Sequence, residues 1–238
     1  MNVALIFAGG TGQRMNSRSK PKQFLEMHGK PIIVHTLEYF EYHEQIDAIC
    51  IVYLKGWEYE LKRMLKYYDI QKVRWMTEGG STGHDSIYNG LKVLEDQCDE
   101  NDIILIHDGV RPLISEELIT NNLEMVKKCG NSITVESTPE SVVKEDENGN
   151  IEDVPPRNLM RIAKAPQCFR FKDIWKIHKM AQKDGFKSID SAHLMNHYNQ
   201  QLFTVESTPY NIKIATPSDY YVFRALLEAR ENSQIFGV

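Results

Sequence analysis

The stretch from Val3 to Lys22, VALIFAGGTGQRMNSRSKPK, restricts the fold more than any other part of the sequence. Five apolar residues, Val3 to Phe7, run without a polar break into Ala8-Gly9-Gly10-Thr11-Gly12. A run of this kind fits a buried strand that delivers a glycine-rich turn to one edge of a sheet. Glycines let backbone N–H groups approach an anion and point at it, and Arg14, Lys20 and Lys22 follow closely with countercharge. The stretch is a candidate polyphosphate site. A plain strand-to-helix turn with a solvated basic loop fits the same residues. Two familiar glycine motifs do not: no Gly-Lys-Ser/Thr follows the second glycine, and Met15 stands where a dinucleotide fingerprint needs its third glycine.

The remainder of the chain alternates strand and helix. Pro31 opens an apolar-periodic stretch through Ile33, Leu37 and Phe40, with proline at a first helical turn where its missing N–H costs nothing. Ala48 to Tyr53 reads as a second strand, Trp57 to Tyr67 as a helix, and Val73 to Met76 as a third, buried strand. A helix through Ile87, Leu91 and Leu94 precedes a fourth strand, Ile103 to Ile106. Helix Ser115 to Lys128, with acids in its first turn and lysines in its last, precedes a strand from Ser132 to Glu136. Lys172 to Asp184 and Asp190 to Tyr198 are amphipathic, and Pro217 starts a closing helix through Tyr221, Leu226 and Leu227. This order predicts an α/β, Rossmann-like, mostly parallel sheet with helices on both faces and ligands at the carboxyl ends of the strands. With 238 residues, a single domain over 1–238 is expected.

One segment breaks the pattern. Val142 to Ile151 has an Asn148-Gly149 turn in an acidic run flanked by β-branched residues, which predicts a protruding β-hairpin arm at about 138–158. A hairpin with so few core-quality residues does not stabilise itself in water, and a second subunit is the natural surface for it. The hexapeptide Thr-Val-Glu-Ser-Thr-Pro occurs from Thr134 and again from Thr204, in flanks that do not match. It reads as two strands with similar ends rather than a duplicated module.

Composition excludes several classes of partner. A formal charge of −5 argues against a general nucleic-acid binder or an anionic-membrane binder, both of which need a basic face. Cys50, Cys98, Cys129 and Cys168 are far apart, with neither a C-x-x-C pair nor a histidine at ligand spacing. They read as thiols of a reducing cytosol. No apolar run approaches the ~18 residues of a membrane span, and Met1-Asn2 leads into a strand without a leader pattern, so a cytoplasmic protein is expected.

Three further clusters are candidates for chemistry. Glu78-Gly79-Gly80-Ser81-Thr82-Gly83-His84-Asp85-Ser86 makes a second close-approach loop at the same sheet edge, or a plain loop. The fourth strand ends in His107-Asp108-Gly109-Val110-Arg111-Pro112. A carboxylate there can help hold Mg²⁺ between phosphates and a guanidinium three residues on can meet an anion bidentately, or the two can form an acid–base pair closing a turn. In Asn211-Ile212-Lys213-Ile214, read as a short strand, the lysine points away from both isoleucines and can reach a pocket. His193 and His197 lie one helical turn apart with no third ligand spaced to complete a metal site, and read as surface histidines.

Ala8-Gly9-Gly10-x-Gly12-x-Arg14-Met15 followed by Pro21-Lys22-Gln23 resembles the signature of the sugar-nucleotidyltransferases. Lys22-Gln23-Phe24-Leu25, His107-Asp108-x-x-Arg111-Pro112, Ala165-Pro166-Gln167 and the Asn211-Ile212-Lys213 ending resemble the polyol-phosphate cytidylyltransferases, almost end to end and in family order. The resemblance implies a homodimer clasped through the arm and transfer of the cytidylyl group of CTP to a polyol phosphate. It places Arg14, Lys22 and Lys213 as catalytic residues. Ala8, Gly9, Gly10, Thr11, Gly12, Gly79, Gly80, Asp85, Ser86 and Asp108 would hold CTP, with Asp108 on Mg²⁺. Arg111, Arg157 and Asp190 would hold the polyol phosphate, Arg157 across the dimer interface. The chain departs from the family pattern at Gly83, Ala165 and Ser191. The glycine-loop form and Val154-Pro155-Pro156-Arg157 lean toward D-ribitol 5-phosphate as acceptor. Alternatives are 2-C-methyl-D-erythritol 4-phosphate, or a nucleotide-binding regulator without turnover.

Overall fold

The computed structural model describes residues 1–10 and 20–236, with side chains to Asn232, and strands and helices alternate along it as the sequence predicts. Strand β1 (Asn2–Ala8) is followed by a two-stranded ribbon, β2 (Glu26–Met27) and β3 (Lys30–Pro31), and by helix α1 (Ile32–Tyr42). Next come β4 (Ala48–Tyr53), α2 (Glu58–Tyr67), β5 (Val73–Glu78), α3 (Gly83–Leu94), β6 (Ile103–Asp108) and α4 (Glu116–Cys129). After β7 (Asn131–Ser137), the short pair β8 (Lys144–Glu145) and β9 (Ile151–Asp153) forms the arm. The chain finishes with β10 (Arg161–Arg170), α5 (Phe171–Asp184), α6 (Ser191–His197), β11 (Thr204–Glu206) and α7 (Pro217–Phe236).

The central sheet has the order β11-β7-β10-β6-β1-β4-β5 among the described residues. All its pairings are parallel except those of β10, which runs antiparallel between β6 and β7. The period of two along β1 explains both cores: Ala4 and Ile6 face one side with Leu37 and Phe40 of α1, Leu61 of α2 and Leu123 of α4. Val3 and Leu5 face the other, with Leu91 of α3, Ile174 of α5 and Leu194 of α6. Strands buried on both faces read as unbroken apolar runs, which is why β1, β4 and β6 were legible.

Two expectations need correction. Val73–Met76 does form a strand, β5, but it lies at the sheet edge with β4 as its one neighbour, so its residues are half-buried or exposed. Asn211–Ile214 is not a strand. Its Ile214 N–H donates to the Val110 carbonyl at 2.9 Å and its Ile212 N–H turns back on Tyr210 at 2.7 Å, which leaves no ladder. What holds this segment is a small third core, where Ile214 packs with Met27, Ile32, Val110 and Phe223. The two copies of the repeated hexapeptide lie side by side: Thr204 is paired with Ile133 and Glu206 with Val135, as neighbouring parallel strands.

The arm is a hairpin as expected. Asp146 accepts from the Asn148 and Asn150 N–H groups at 2.9 and 2.8 Å to close the turn. Val142, Val143, Ile151, Val154 and Leu159 along it are exposed.

Candidate active site

The carboxyl ends of β1, β4 and β5 bring the two glycine loops into contact. A Cβ on Gly9 would lie 3.2 Å from the Gly79 Cα, and one on Gly79 would lie 3.1 Å from the Gly9 Cα, so the backbones touch where side chains would keep them apart. The Gly79 N–H donates to the Tyr53 carbonyl at 2.8 Å, tying the second loop to the end of β4. Gln23, almost wholly buried, donates from Nε2 to the carbonyls of Ala8 at 2.6 Å and Gly10 at 3.2 Å and so fixes the first loop from below.

The second loop is shaped by the start of α3. Thr82 caps the helix by accepting from the Asp85 N–H at 3.1 Å, and Ser86 Oγ accepts from the Gly80 N–H at 3.1 Å. Asp85 Oδ2 in turn accepts from Ser81 Oγ at 2.6 Å, Thr82 Oγ1 at 2.9 Å and Lys187 Nζ at 3.0 Å. Burial pushes this carboxyl up, but the hydrogen bonds from Ser81, Lys187 and Thr82 and the lysine charge outweigh it and hold it at about 2. Asp85 therefore stands beneath the loop as an ionised brace.

At the tip of β6, Asp108 is buried and meets two cations. Lys213 Nζ lies 2.5 Å from its Oδ1, and Arg111 Nε 3.2 Å from its Oδ2. Burial again pushes the carboxyl up, and the Lys213 and Arg111 charges overcome that and hold it at about 2. Arg111 also donates to the Asn211 carbonyl at 2.7 Å, so the acid–base pair closing a turn is present and is anchored to the segment that carries Lys213. Lys22 donates to the Ile214 carbonyl at 3.0 Å. Lys22 is thus tied to the residue next to Lys213, 192 positions from its own, and both lysines line one chamber.

These groups border two adjoining chambers. The first, of about 550 Å³, is walled by the glycine loops and Ser86, with Lys22, Lys55, Asp108 and Lys213 around it. The second, of about 330 Å³, is walled by Arg111, Lys164, Gln167, Asp190 and Ser191. Phe7, Gly83, Asp108 and Lys213 belong to both. A larger hollow of about 760 Å³ lies beside α2, but its charged residues pair among themselves, Lys20 with Glu26 and Arg63 with Glu60, so it presents no converging charge.

Of the residues singled out in the sequence, Ala8, Gly9, Gly10, Gly79 and Gly80 wall the first chamber, and Arg111 and Asp190 the second. Arg157 reaches neither within one chain: it donates to the Pro139 carbonyl at 2.9 Å at the base of the arm. Thr11, Gly12 and Arg14 lie outside the described residues. Sequence reasoning gave no role to Gln167, whose Oε1 accepts from the Ala192 N–H at 2.8 Å and whose Nε2 donates to Asp190 at 3.4 Å, pinning α6 against β10. Nor did it find Lys55, Lys164 or Lys187. Their surroundings have no local signal, because the partners come from other elements.

A mostly parallel sheet with glycine loops over its carboxyl edge and a lysine–aspartate pair where two chambers meet is the arrangement of an α/β nucleotidyltransferase. Residues 2–229 match the family model described as IspD: 2-C-methyl-D-erythritol 4-phosphate cytidylyltransferase, and the chain belongs to that family of cytidylyltransferases. A ribitol-5-phosphate cytidylyltransferase of Vibrio parahaemolyticus is 47% identical over 238 residues, covering 100% of both chains. One from Streptococcus agalactiae is 46% identical over 239 residues with the same coverage. A 2-C-methyl-D-erythritol 4-phosphate cytidylyltransferase of Clostridium botulinum is 35% identical, covering 95% of this chain and 97% of its own. Among solved structures, the 4-diphosphocytidyl-2C-methyl-D-erythritol synthase of Anaerococcus prevotii superposes with a TM-score of 0.84 at 29% identity and 96% coverage of each chain. All are enzymes by name, which favours turnover over the regulator alternative. No helix among the described residues is long and apolar enough to cross a membrane.

Proposed function

We propose that the chain transfers the cytidylyl group of CTP to D-ribitol 5-phosphate, giving a CDP-polyol and pyrophosphate. The observation that carries this reading is that Lys22 and Lys213 both line the glycine-walled chamber, with Lys213 also lining the polar chamber that adjoins it. The first chamber suits the nucleotide, since its backbone approaches closely, and the second suits the acceptor. Full-length relatives at 46 to 47% identity carry the ribitol name, whereas the erythritol-named relative stands at 35%.

An acceptor phosphate oxygen forms a bond to the α-phosphorus, the bond from that phosphorus to the α–β bridging oxygen breaks in line, and the electron pair leaves on pyrophosphate. The attacking oxygen is already anionic, so no general base is required. The barrier is charge repulsion and misorientation, and fixed cations lower both. Lys22, with Arg14, serves the triphosphate, and Lys213, shared by both chambers, serves the transferred phosphate. Arg111 and Asp190 bound the acceptor. Among the described residues no group of three metal-ligating side chains is assembled. Mg²⁺ commonly takes one or two carboxylates and completes its shell with substrate phosphates and water, and Asp108 would serve as that single protein ligand once the Lys213 ammonium group on its Oδ1 gives way to the ion. Bound there, the ion would neutralise phosphate oxygens.

The exposed apolar residues of the arm support a homodimer, in which Arg157 serves the acceptor of a second copy. Sedimentation is expected to give a dimer, and Ile151→Lys with Val154→Lys a monomer. A wild-type monomer at micromolar concentration would remove this part of the reading. Four free thiols fit a cytoplasmic setting.

The test of function is pyrophosphate release from CTP with each acceptor. D-ribitol 5-phosphate is expected to give a kcat/KM at least about tenfold above 2-C-methyl-D-erythritol 4-phosphate, with loss of turnover on chelation of Mg²⁺. Release with neither acceptor overturns the assignment, and the opposite preference moves it to the erythritol branch.

A further inference from the structure

We propose that Lys164 holds the phosphate of the acceptor in the second chamber, next to a hydroxyl of Ser191 that faces the acceptor's own polar groups. The inference rests on the cytidylyl-transfer reading above and adds to it the residue that recognises the acceptor.

The first ground is the path of β10. Ala163 is paired with Val135 and Gln167 with Ile133, so residues 164 to 166 stand opposite Thr134 alone. Bulges of this kind re-aim side chains and recur beside active sites. Here the bulged segment puts Lys164 and Ala165 on the chamber wall, and Ala165 brings no hydrogen-bonding side chain of its own.

The second ground is the balance of charge. Arg111, Lys164 and Lys213 face the second chamber, against Asp108 and Asp190. Arg111 and Lys213 both lean on Asp108. Lys164 pairs instead with Glu136 of β7, which does not border the chamber, and donates to the Asn211 carbonyl at 3.3 Å, the same oxygen that takes Arg111. Its counterion thus lies outside the chamber that Lys164 helps to wall. The side chain is 12% exposed, a partly desolvated setting in which a phosphate attracts an ammonium group more strongly than in water.

The third ground is independent of charge. Ser191 is 2% exposed, lines the same chamber, and its Oγ has no hydrogen-bond partner among the described residues. Buried hydroxyls are nearly always satisfied, and this one, itself shut off from solvent beside the chamber, has an open hydrogen-bonding capacity that a polar ligand can fill once the side chain rotates.

An ion pair that merely ties β7 to β10 would show the same Lys164–Glu136 contact, so the experiment separates the two roles. Lys164→Met alone leaves Glu136 without its partner and can weaken the fold. The paired change Lys164→Met with Glu136→Gln removes both charges and is the decisive variant. Pyrophosphate release is measured at saturating CTP against D-ribitol 5-phosphate, then with the roles exchanged, alongside calorimetric titration of D-ribitol 5-phosphate alone. The paired variant is expected to raise the KM for the acceptor about tenfold or more, with the KM for CTP within about twofold of wild type. Glu136→Gln alone, which releases the ammonium group from its counterion, is expected to leave the acceptor KM unchanged or lower. An acceptor KM at the wild-type value in the paired variant overturns the role of Lys164 while cytidylyl transfer stands. Absence of wild-type turnover with every polyol phosphate overturns both.

Discussion

Lys213→Ala is expected to lower kcat about a hundredfold or more, with the protein still folded. The ammonium group lies 2.5 Å from Asp108 where both chambers meet, so on the proposed reading it would meet the phosphate under transfer rather than either substrate in isolation. A group that acts mainly as charge shifts in the transition state lowers kcat and kcat/KM together. Removing one such donor costs on the order of 3 kcal/mol, which is about a hundredfold in rate. Asp108 keeps Arg111 as a partner in the variant, so its carboxylate is not stranded. Single-turnover rates with both substrates saturating provide the measurement, and circular dichroism checks the fold. A rate within threefold of wild type would take Lys213 out of the reaction.

The second large effect belongs to Gly80→Ala. A Cβ at that position would fall 2.3 Å from the Asp85 Cβ and 2.9 Å from the Asp85 carbonyl carbon. Neither atom is the free end of a flexible side chain. Asp85 is fixed by Ser81, Thr82 and Lys187, so the strain passes to the first turn of α3 and to the loop that walls the first chamber. Overpacking of this kind typically costs about 1–3 kcal/mol of stability, and the displaced loop is expected to raise the KM for CTP about tenfold. Gly83→Ala is the control: nothing lies within 4 Å of its added Cβ, and alanine suits a helix better than glycine, so stability should hold or rise. Thermal melts and CTP saturation curves on the two variants decide the matter. Equal melting temperatures and equal KM values would mean that the loop tolerates the extra carbon and is not the rigid cradle described.

The sequence disclosed what local pattern controls. Unbroken apolar runs marked β1, β4 and β6, and the acidic Asn-Gly run marked the arm. The alternation around Lys213 directed its side chain correctly even though the segment is no strand: Ile212 and Ile214 pack in the third core while Lys213 reaches Asp108. Legibility failed where a residue's role depends on partners far away in the chain. Gln23 could be seen in a motif, but that it holds the Ala8 and Gly10 carbonyls requires the 3-10 turn at Lys22–Phe24 to fold beneath the loop. Lys164 looks like any strand lysine until the register shift of β10 is known. The edge position of β5 followed from sheet order, which periodicity does not encode.

The bond from Lys22 to the carbonyl of Ile214 bears on how the enzyme comes into being. Lys22 precedes most of the chain and Lys213 follows most of it, so a chain still being made holds only one of the two lysines. The second arrives when the stretch around Ile214 settles among Met27, Ile32 and Phe223. Until the stretch around Ile214 is in place, the first chamber lacks the second of its two lysines.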